Sequence, residues 1–217
     1  MTTYTIYTDG ACINNGKADA RAGWGAVLRN PEGDVLEIAG PVPESQPQTN
    51  GRAELLALVE ALERCAKPAP IILYTDSQYI ANACNGWLPD WKARGWRKAD
   101  KKPPEHLDLW QRLDQQLQAK DVSVCWVKAH SGMLGNERAD ALANIGAAGK
   151  NHRKRVKKPE RQTNKVQTLG ADEITTCQVS GNREQAYSDS SVTISTTGTR
   201  TSGRKSLPYR PKVIPSL

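Results

Sequence analysis

The sequence predicts an α/β domain on a mixed sheet, followed by a basic tail. Three observations predict it. Residues 4–9 alternate in polarity, and two short apolar runs after them flank a turn, which is the layout of consecutive antiparallel strands. From residue 50 onward, helical apolar spacing alternates with short strand-like runs, as α/β domains require. Near residue 150 the composition changes abruptly and apolar periodicity stops.

Each element has its own justification. In the first strand Tyr4, Ile6 and Thr8 share one face, and Thr5, Tyr7 and Asp9 share the other. Residues 24–29 and 34–39 are strands joined at Asn30-Pro31-Glu32-Gly33, a turn signal. A Pro-rich stretch runs from Pro41 to Pro47, and Thr49-Asn50 then offers capping side chains. Behind them Ala53, Leu56, Ala57, Val59 and Leu62 fit an amphipathic helix, which Pro68 and Pro70 end. Ile71-Ile72-Leu73-Tyr74 is continuously apolar, as in a central strand buried on both faces. Helices follow from Ser77, over about 87–96 and over 106–119. Val122–Val127 reads as a strand and 136–148 as a final helix.

Charge divides the chain at the same place as composition. Residues 1–150 hold 17 Lys+Arg and 18 Asp+Glu, a net of −1; residues 151–217 hold 13 and 5, a net of +8. The overall +7 therefore describes the last third, not the folded part. All six Trp lie between Trp24 and Trp126 and there is no Phe, so bulky core side chains belong to the first 130 residues. The expected organisation is one domain over 1–149 and a disordered basic extension over 150–217, too poor in apolar residues to offset its ordering entropy. No run of 18 apolar residues exists, the N-terminus lacks a secretory layout, and five Cys form neither a CxxC pair nor a framework. A reducing cytoplasm, a monomer and no membrane partner are the expectations.

The acids carry the functional argument. Asp9 ends the first strand and Asp76 ends the buried one, so both fall where open α/β sheets bind ligands. Glu54 lies in the first turn of the helix after the hairpin, and Asp140 sits one turn inside the last helix. A cluster of four carboxylates is stable only with cations, and oxygen-only donors suit Mg²⁺ or Mn²⁺. Two such ions about 3.5–4 Å apart can activate a water and stabilise the leaving oxygen of a phosphodiester. Taken singly, Asp76 is also a good helix cap and Glu54 a good first-turn acid.

Six motifs in order resemble ribonuclease HI over residues 4–148. They are Tyr-Thr-Asp-Gly-Ala-Cys at 7–12, Thr-Asn-Gly-Arg-Ala-Glu at 49–54 and Thr-Asp-Ser-Gln-Tyr at 75–79. The Trp/Lys segment 91–103, Leu-Trp-Gln-Arg-Leu-Asp at 109–114, and Trp-Val-Lys-Ala-His-Ser-Gly at 126–132 with Asn-Glu-Arg-Ala-Asp at 136–140 complete the set. The resemblance implies a ribonuclease H-like fold with a five-stranded mixed sheet. It further implies endonucleolytic hydrolysis of the RNA strand of RNA–DNA hybrids with two Mg²⁺ ions, Mn²⁺ being a possible substitute. The products would carry 5′-phosphate and 3′-hydroxyl ends.

By the same resemblance Asp9, Glu54, Asp76 and Asp140 are the metal ligands, and His130 is a histidine on a mobile loop that aids proton transfer or product release. Asn15, Asn50 and Gln78, with the backbone near Cys12, are candidates for sensing 2′-hydroxyls, and Thr49 for a DNA phosphate. In 87–102, Trp87, Trp91 and Trp96 interleave with Lys92, Arg94, Arg97, Lys98, Lys101 and Lys102, which places flat rings beside basic tips. The plainer reading makes the Trp residues core and the cations solvated surface; the resemblance makes the segment a protrusion that grips DNA. The loop 13–23 is longer than the family's usual bacterial turn, Ala129 stands where Gly is common, and Gly51 replaces a larger polar residue. A non-catalytic hybrid-binding module is the alternative. Four intact carboxylates beside phosphates argue against it. A junction resolvase or integrase-like core would share clustered acids but not the Trp/Lys segment.

Overall fold

The structure is a computed structural model that describes residues 3–158. The expectation of disorder for residues 159–217 lies outside the described residues. The strands are β1 (Tyr4–Ile13), β2 (Arg21–Arg29), β3 (Val35–Pro41), β4 (Ile71–Thr75), β5 (Val122–Trp126) and β6 (His152–Val156). The helices are α1 (Asn50–Glu63), α2 (Gln78–Asn82), α3 (Leu88–Ala93), α4 (Leu107–Ala119) and α5 (Leu134–Ala147). The sheet is mixed, in the order β5-β4-β1-β2-β3-β6. Its centre is β1, antiparallel to β2 and parallel to β4.

Helices cover both faces. Thr49 caps α1 by accepting from the Arg52 N–H, and the helix buries Ala53, Leu55–Val59, Ala61 and Leu62 between the sheet and α4. From α4, Leu109, Trp110 and Leu113 pack inward at helical spacing. On the other face α5 lays Ala139, Leu142, Ala143 and Ala147 over β1, β2 and β3. Small residues make that approach close: a Cβ at Gly25 would lie 2.4 Å from the Ala143 nitrogen. Ile6 and Leu73 are fully buried, and such side chains contribute roughly 1.5–3 kcal/mol each.

Three expectations are corrected. The sheet has six strands, not five, and the sixth lies inside the segment expected to be disordered from 150. β3 would otherwise end the sheet with unpaired backbone groups; β6 pairs antiparallel with it from Val35↔Val156 to Ala39↔His152. β6 exposes nearly every side chain, so no apolar alternation marked it in the sequence. The separate helices expected from Ser77 and over about 87–96 run into one another, a π turn over Ala83–Trp87 joining α2 to α3. In β4 only Ile71, Leu73 and Thr75 are buried, while Ile72 and Tyr74 are partly covered, so one face is sealed rather than both. No helix among the described residues is long and apolar enough to cross a membrane.

Candidate active site

Backbone geometry brings the four carboxylates together. Thr8 and Thr75 are the last pair of β1 and β4, so Asp9 and Asp76 follow side by side where that pairing stops; β1 itself runs on to Ile13, so Asp9 lies within the strand and not at its end as expected. Gly10 lets α1 approach: a Cβ there would lie 2.1 Å from the Glu54 nitrogen, inside any permitted contact. That contact sets Glu54 beside Asp9. From the opposite face α5 packs on β1 and β2 and brings Asp140 near enough for its charge to reach Asp9, while the Asn144 amide donates to Asp140 Oδ1 at 2.9 Å.

The electrostatics record the convergence. The Asp9 carboxyl is 8% exposed and its pKa is pushed up to about 8, first by burial, then by Asp76, and further by Asp140 and Glu54. The Gly10 N–H donates to Asp9 Oδ1 at 2.8 Å and opposes part of that rise. Burial also raises the Glu54 pKa, with Asp76 adding to it and a Ser77 hydrogen bond opposing it. Among the described residues no three such groups stand close enough to enclose an ion. Charge repulsion acts over longer distances than coordination does, so the four form a loose acidic pocket rather than a closed cage. Their oxygen-only donor set, mutually repelling and half-buried, fits hard divalent cations.

Asp76 is held by two residues that sequence reasoning passed over. The Trp126 indole N–H donates to the Asp76 carbonyl at 3.0 Å. The Asn136 amide donates to Asp76 Oδ2 at 3.4 Å, and Asn136 Oδ1 is buried without a partner. Asn136 stands four residues before Asp140, inside a motif already singled out, yet only the acids drew attention. A second missed group surrounds Arg52, 4% exposed, which donates to both Asp108 oxygens at 3.0 and 2.5 Å. Its neighbour His106 meets Thr49 Oγ1 at 3.2 Å, and burial followed by the Arg52 charge lowers the His106 pKa.

The remaining sequence-predicted residues divide. The Asn50 amide donates to Glu54 Oε1 at 2.7 Å and the Asn50 backbone N–H donates to Asn15 Oδ1 at 3.4 Å, which ties both to the acidic pocket. The Cys12 thiol donates to the Gln48 carbonyl at 3.5 Å, and burial raises its pKa. Gln78 is exposed at the start of α2. His130 is exposed with φ 51, on the turn after β5. A cleft of about 310 Å³ beside Glu54 is lined by Tyr79, Lys98, His106 and Trp110 among others.

In the Trp/Lys segment, Trp91 is 5% exposed and packs edge-on against Trp110, so its faces serve the core and not a ligand. Trp87, 40% exposed and 5.6 Å from Tyr79, presents the open ring instead. Trp96 is partly buried against the core at φ 61. Lys92 pairs with Asp114, Arg94 with Asp90 and Lys98 with Asp100, while Arg97 donates to the Lys101 carbonyl. Except for Lys98, which is half-buried, these cations remain exposed.

Comparison with known proteins places these features. The RNase H family profile matches residues 1–148. A ribonuclease H of Cupriavidus necator is 49% identical over 146 residues, covering 67% of this chain and 96% of that protein. One from Rhodopseudomonas palustris is 46% identical over 153 residues, covering 70% and 94%. The crystal structure of LC9-RNase H1, a type 1 RNase H with the type 2 active-site motif, superposes with a TM-score of 0.61 at 26% identity, over 72% of this chain and 78% of that one. A foamy viral protease-reverse transcriptase in complex with RNA/DNA hybrid superposes with a TM-score of 0.58 at 26% identity, over 66% of this chain and 20% of that one.

Proposed function

The chain belongs to the ribonuclease H family, and from that premise we propose that it cuts the RNA strand of RNA–DNA hybrids with Asp9, Glu54, Asp76 and Asp140 as the ligands of two Mg²⁺ ions. Family membership makes it an endoribonuclease that acts on such hybrids; the ligand set, the ion and the products are the proposal. One observation carries it: Asp9 and Asp76 follow the last paired residues of β1 and β4, Gly10 lets Glu54 in beside them, and the Asp9 carboxyl, raised to about 8 first by burial, is raised further by Asp76, Asp140 and Glu54. A fold gains nothing from holding four acids in mutual repulsion unless cations are to enter.

When bound, the two ions would offset that repulsion, activate a water and stabilise the leaving 3′-oxygen, giving 5′-phosphate and 3′-hydroxyl ends. Mn²⁺, with the same preference for oxygen, would substitute. The chain's own residues do the rest. Asp9 is the most buried of the four and the one that feels the other three, so it is the ligand whose loss matters most. Trp126 and Asn136 hold Asp76 from its carbonyl and its carboxylate. His130, exposed at its turn, takes or hands on a proton at its imidazole as product leaves.

Substrate reading falls to neutral donors and acceptors beside the pocket. Asn15, Asn50 and Gln78, with the backbone near Cys12, meet 2′-hydroxyls of the RNA strand. Thr49 meets a DNA phosphate, and Trp87 offers its ring to a sugar or base. Lys92, Arg94, Arg97 and Lys98 supply charge along the DNA strand.

The test is Asp9→Asn. Cleavage is expected to disappear while hybrid binding stays measurable. Substantial residual turnover would refute the two-metal assignment.

A further inference from the structure

β6 is a strand of cations. Arg153, Lys154 and Arg155 are exposed, and Lys157 and Lys158 continue the run, exposed as well. Five positive charges fall within six residues without an acid among them. Among the described residues none of Arg153, Lys154 and Arg155 has an ion-pair partner. Lys154 stands opposite Glu37 in register, but both Glu37 oxygens are engaged: Arg138 donates to them and His152 lies 3.4 Å from Oε2. The charges are therefore held on a fixed strand and left unneutralised. They contrast with residues 1–150, whose net charge is −1.

Register places this strand relative to the acidic pocket. Asp9 pairs with Gly25, Gly25 with Ala39, and Ala39 with His152, so Asp9 and the start of β6 lie in one row across the sheet. Three strand spacings separate them, about 14 Å at 4.7–4.9 Å each. On the other side of β1, α2 packs on β4 and β5 and runs through the π turn into the Trp/Lys segment, whose Lys98 lines the cleft beside Glu54. The acids thus sit between two basic flanks. A duplex carries one negative charge per about 1.7 Å of its axis, so a hybrid that fills the pocket and runs on by about 14 Å brings roughly eight further phosphates toward β6.

We infer that β6 is a second grip on the nucleic acid: the phosphate backbone of the hybrid, beyond the scissile site, runs along this edge strand, within reach of Arg153 and Arg155 on one face and of Lys154 on the other. The inference rests on the hybrid as substrate. Such a grip reads no sequence, since cations on phosphates position a duplex without discriminating bases. A competing role exists for a basic edge strand, because lysines there deter pairing with another chain. That role predicts aggregation when the charge is removed and no change in hybrid affinity.

The experiment compares the full chain with a triple variant, Arg153→Gln, Lys154→Gln and Arg155→Gln, and with a double variant, Arg153→Lys and Arg155→Lys. Affinity for a hybrid of about 20 base pairs, about 68 Å long at 3.4 Å per pair, is measured from 50 to 200 mM salt without divalent ions. The triple variant is expected to flatten the slope of log K against log salt by about 2–3, at ~0.9 for each phosphate that is no longer neutralised. The double variant is expected to keep the full slope. Equal slopes for wild type and triple variant, with or without added light scattering, would overturn the inference. So would an equal flattening in the double variant, since that would reflect a disturbed strand and not missing charge. Binding is read without turnover, so failure of the cleavage reading would show separately, as a wild type that binds hybrid but never cuts it.

Discussion

Replacing Asp9 with Asn should stabilise the metal-free protein, and by an amount that depends on pH. The folded-state pKa of Asp9 is raised to about 8 from the ordinary 3.8. The folded protein therefore holds a proton that the unfolded chain releases. Stability is fully present below pH 3.8, falls as pH rises, and levels off only above about 8. At 1.36 kcal/mol per unit, the interval from 3.8 to 7 corresponds to about 4 kcal/mol lost at neutral pH. Asn has the same shape, carries no proton to lose, and keeps an oxygen to accept from the Gly10 N–H. In EDTA at pH 7, Asp9→Asn should thus melt higher by about 8–16 °C, at ~2–4 °C per kcal/mol for a chain of this size. At pH 3 the two proteins should melt together. Adding Mg²⁺ should raise the wild type more than the variant, because the ions replace the missing countercharge. Thermal denaturation followed by circular dichroism between pH 3 and 9 checks this. A pH-independent difference, or none, would refute the raised Asp9 pKa and with it the burial and neighbouring charges that cause it.

Other expectations follow from the same structure. Asp108→Ala strands the buried Arg52 guanidinium and should cost about 2 kcal/mol in urea unfolding, discounted from a fully buried pair because Asp108 is half-exposed. Lys101, exposed with φ 64, holds a left-handed backbone that a side chain disfavours; Lys101→Gly should gain about 1 kcal/mol in the same assay. Trp87→Ala should weaken hybrid binding by about 1–3 kcal/mol, the range for one stacked base, read by fluorescence anisotropy, while Trp91→Ala should instead lower the melting temperature.

The fold was legible where burial imposes a period. β1 and α4 carry alternation or helical spacing because one face of each meets the core, and α1, buried between the sheet and α4, shows itself by its run of apolar residues. β6 carried none, since its side chains are solvated and its only constraint is backbone pairing to β3. The π turn between α2 and α3 was hidden too, because a single wide turn at Ala83–Trp87 shifts the helical phase by one residue without interrupting the helix.

In the site, Asp76 was legible from its place at the end of β4, whereas Asp9 lies inside β1 and Glu54 and Asp140 lie beyond the first turns of α1 and α5, so motifs and not element ends marked those three. The acids' supports were not legible: Trp126 and Asn136 act through one hydrogen bond each to Asp76, and a lone amide or indole leaves no pattern. Trp91 shows the converse error. Trp residues among cations look alike in sequence whether they face solvent or core, and only packing against Trp110 separates Trp91 from Trp87.

The most direct test of the central claim is cleavage of a labelled RNA–DNA hybrid beside RNA–RNA and DNA–DNA duplexes, with and without Mg²⁺. The account predicts cutting of the hybrid's RNA strand alone, only with the divalent ion, leaving 5′-phosphate and 3′-hydroxyl ends. Cutting without added metal in EDTA, or hybrid binding with no cleavage under Mg²⁺ or Mn²⁺, would contradict it.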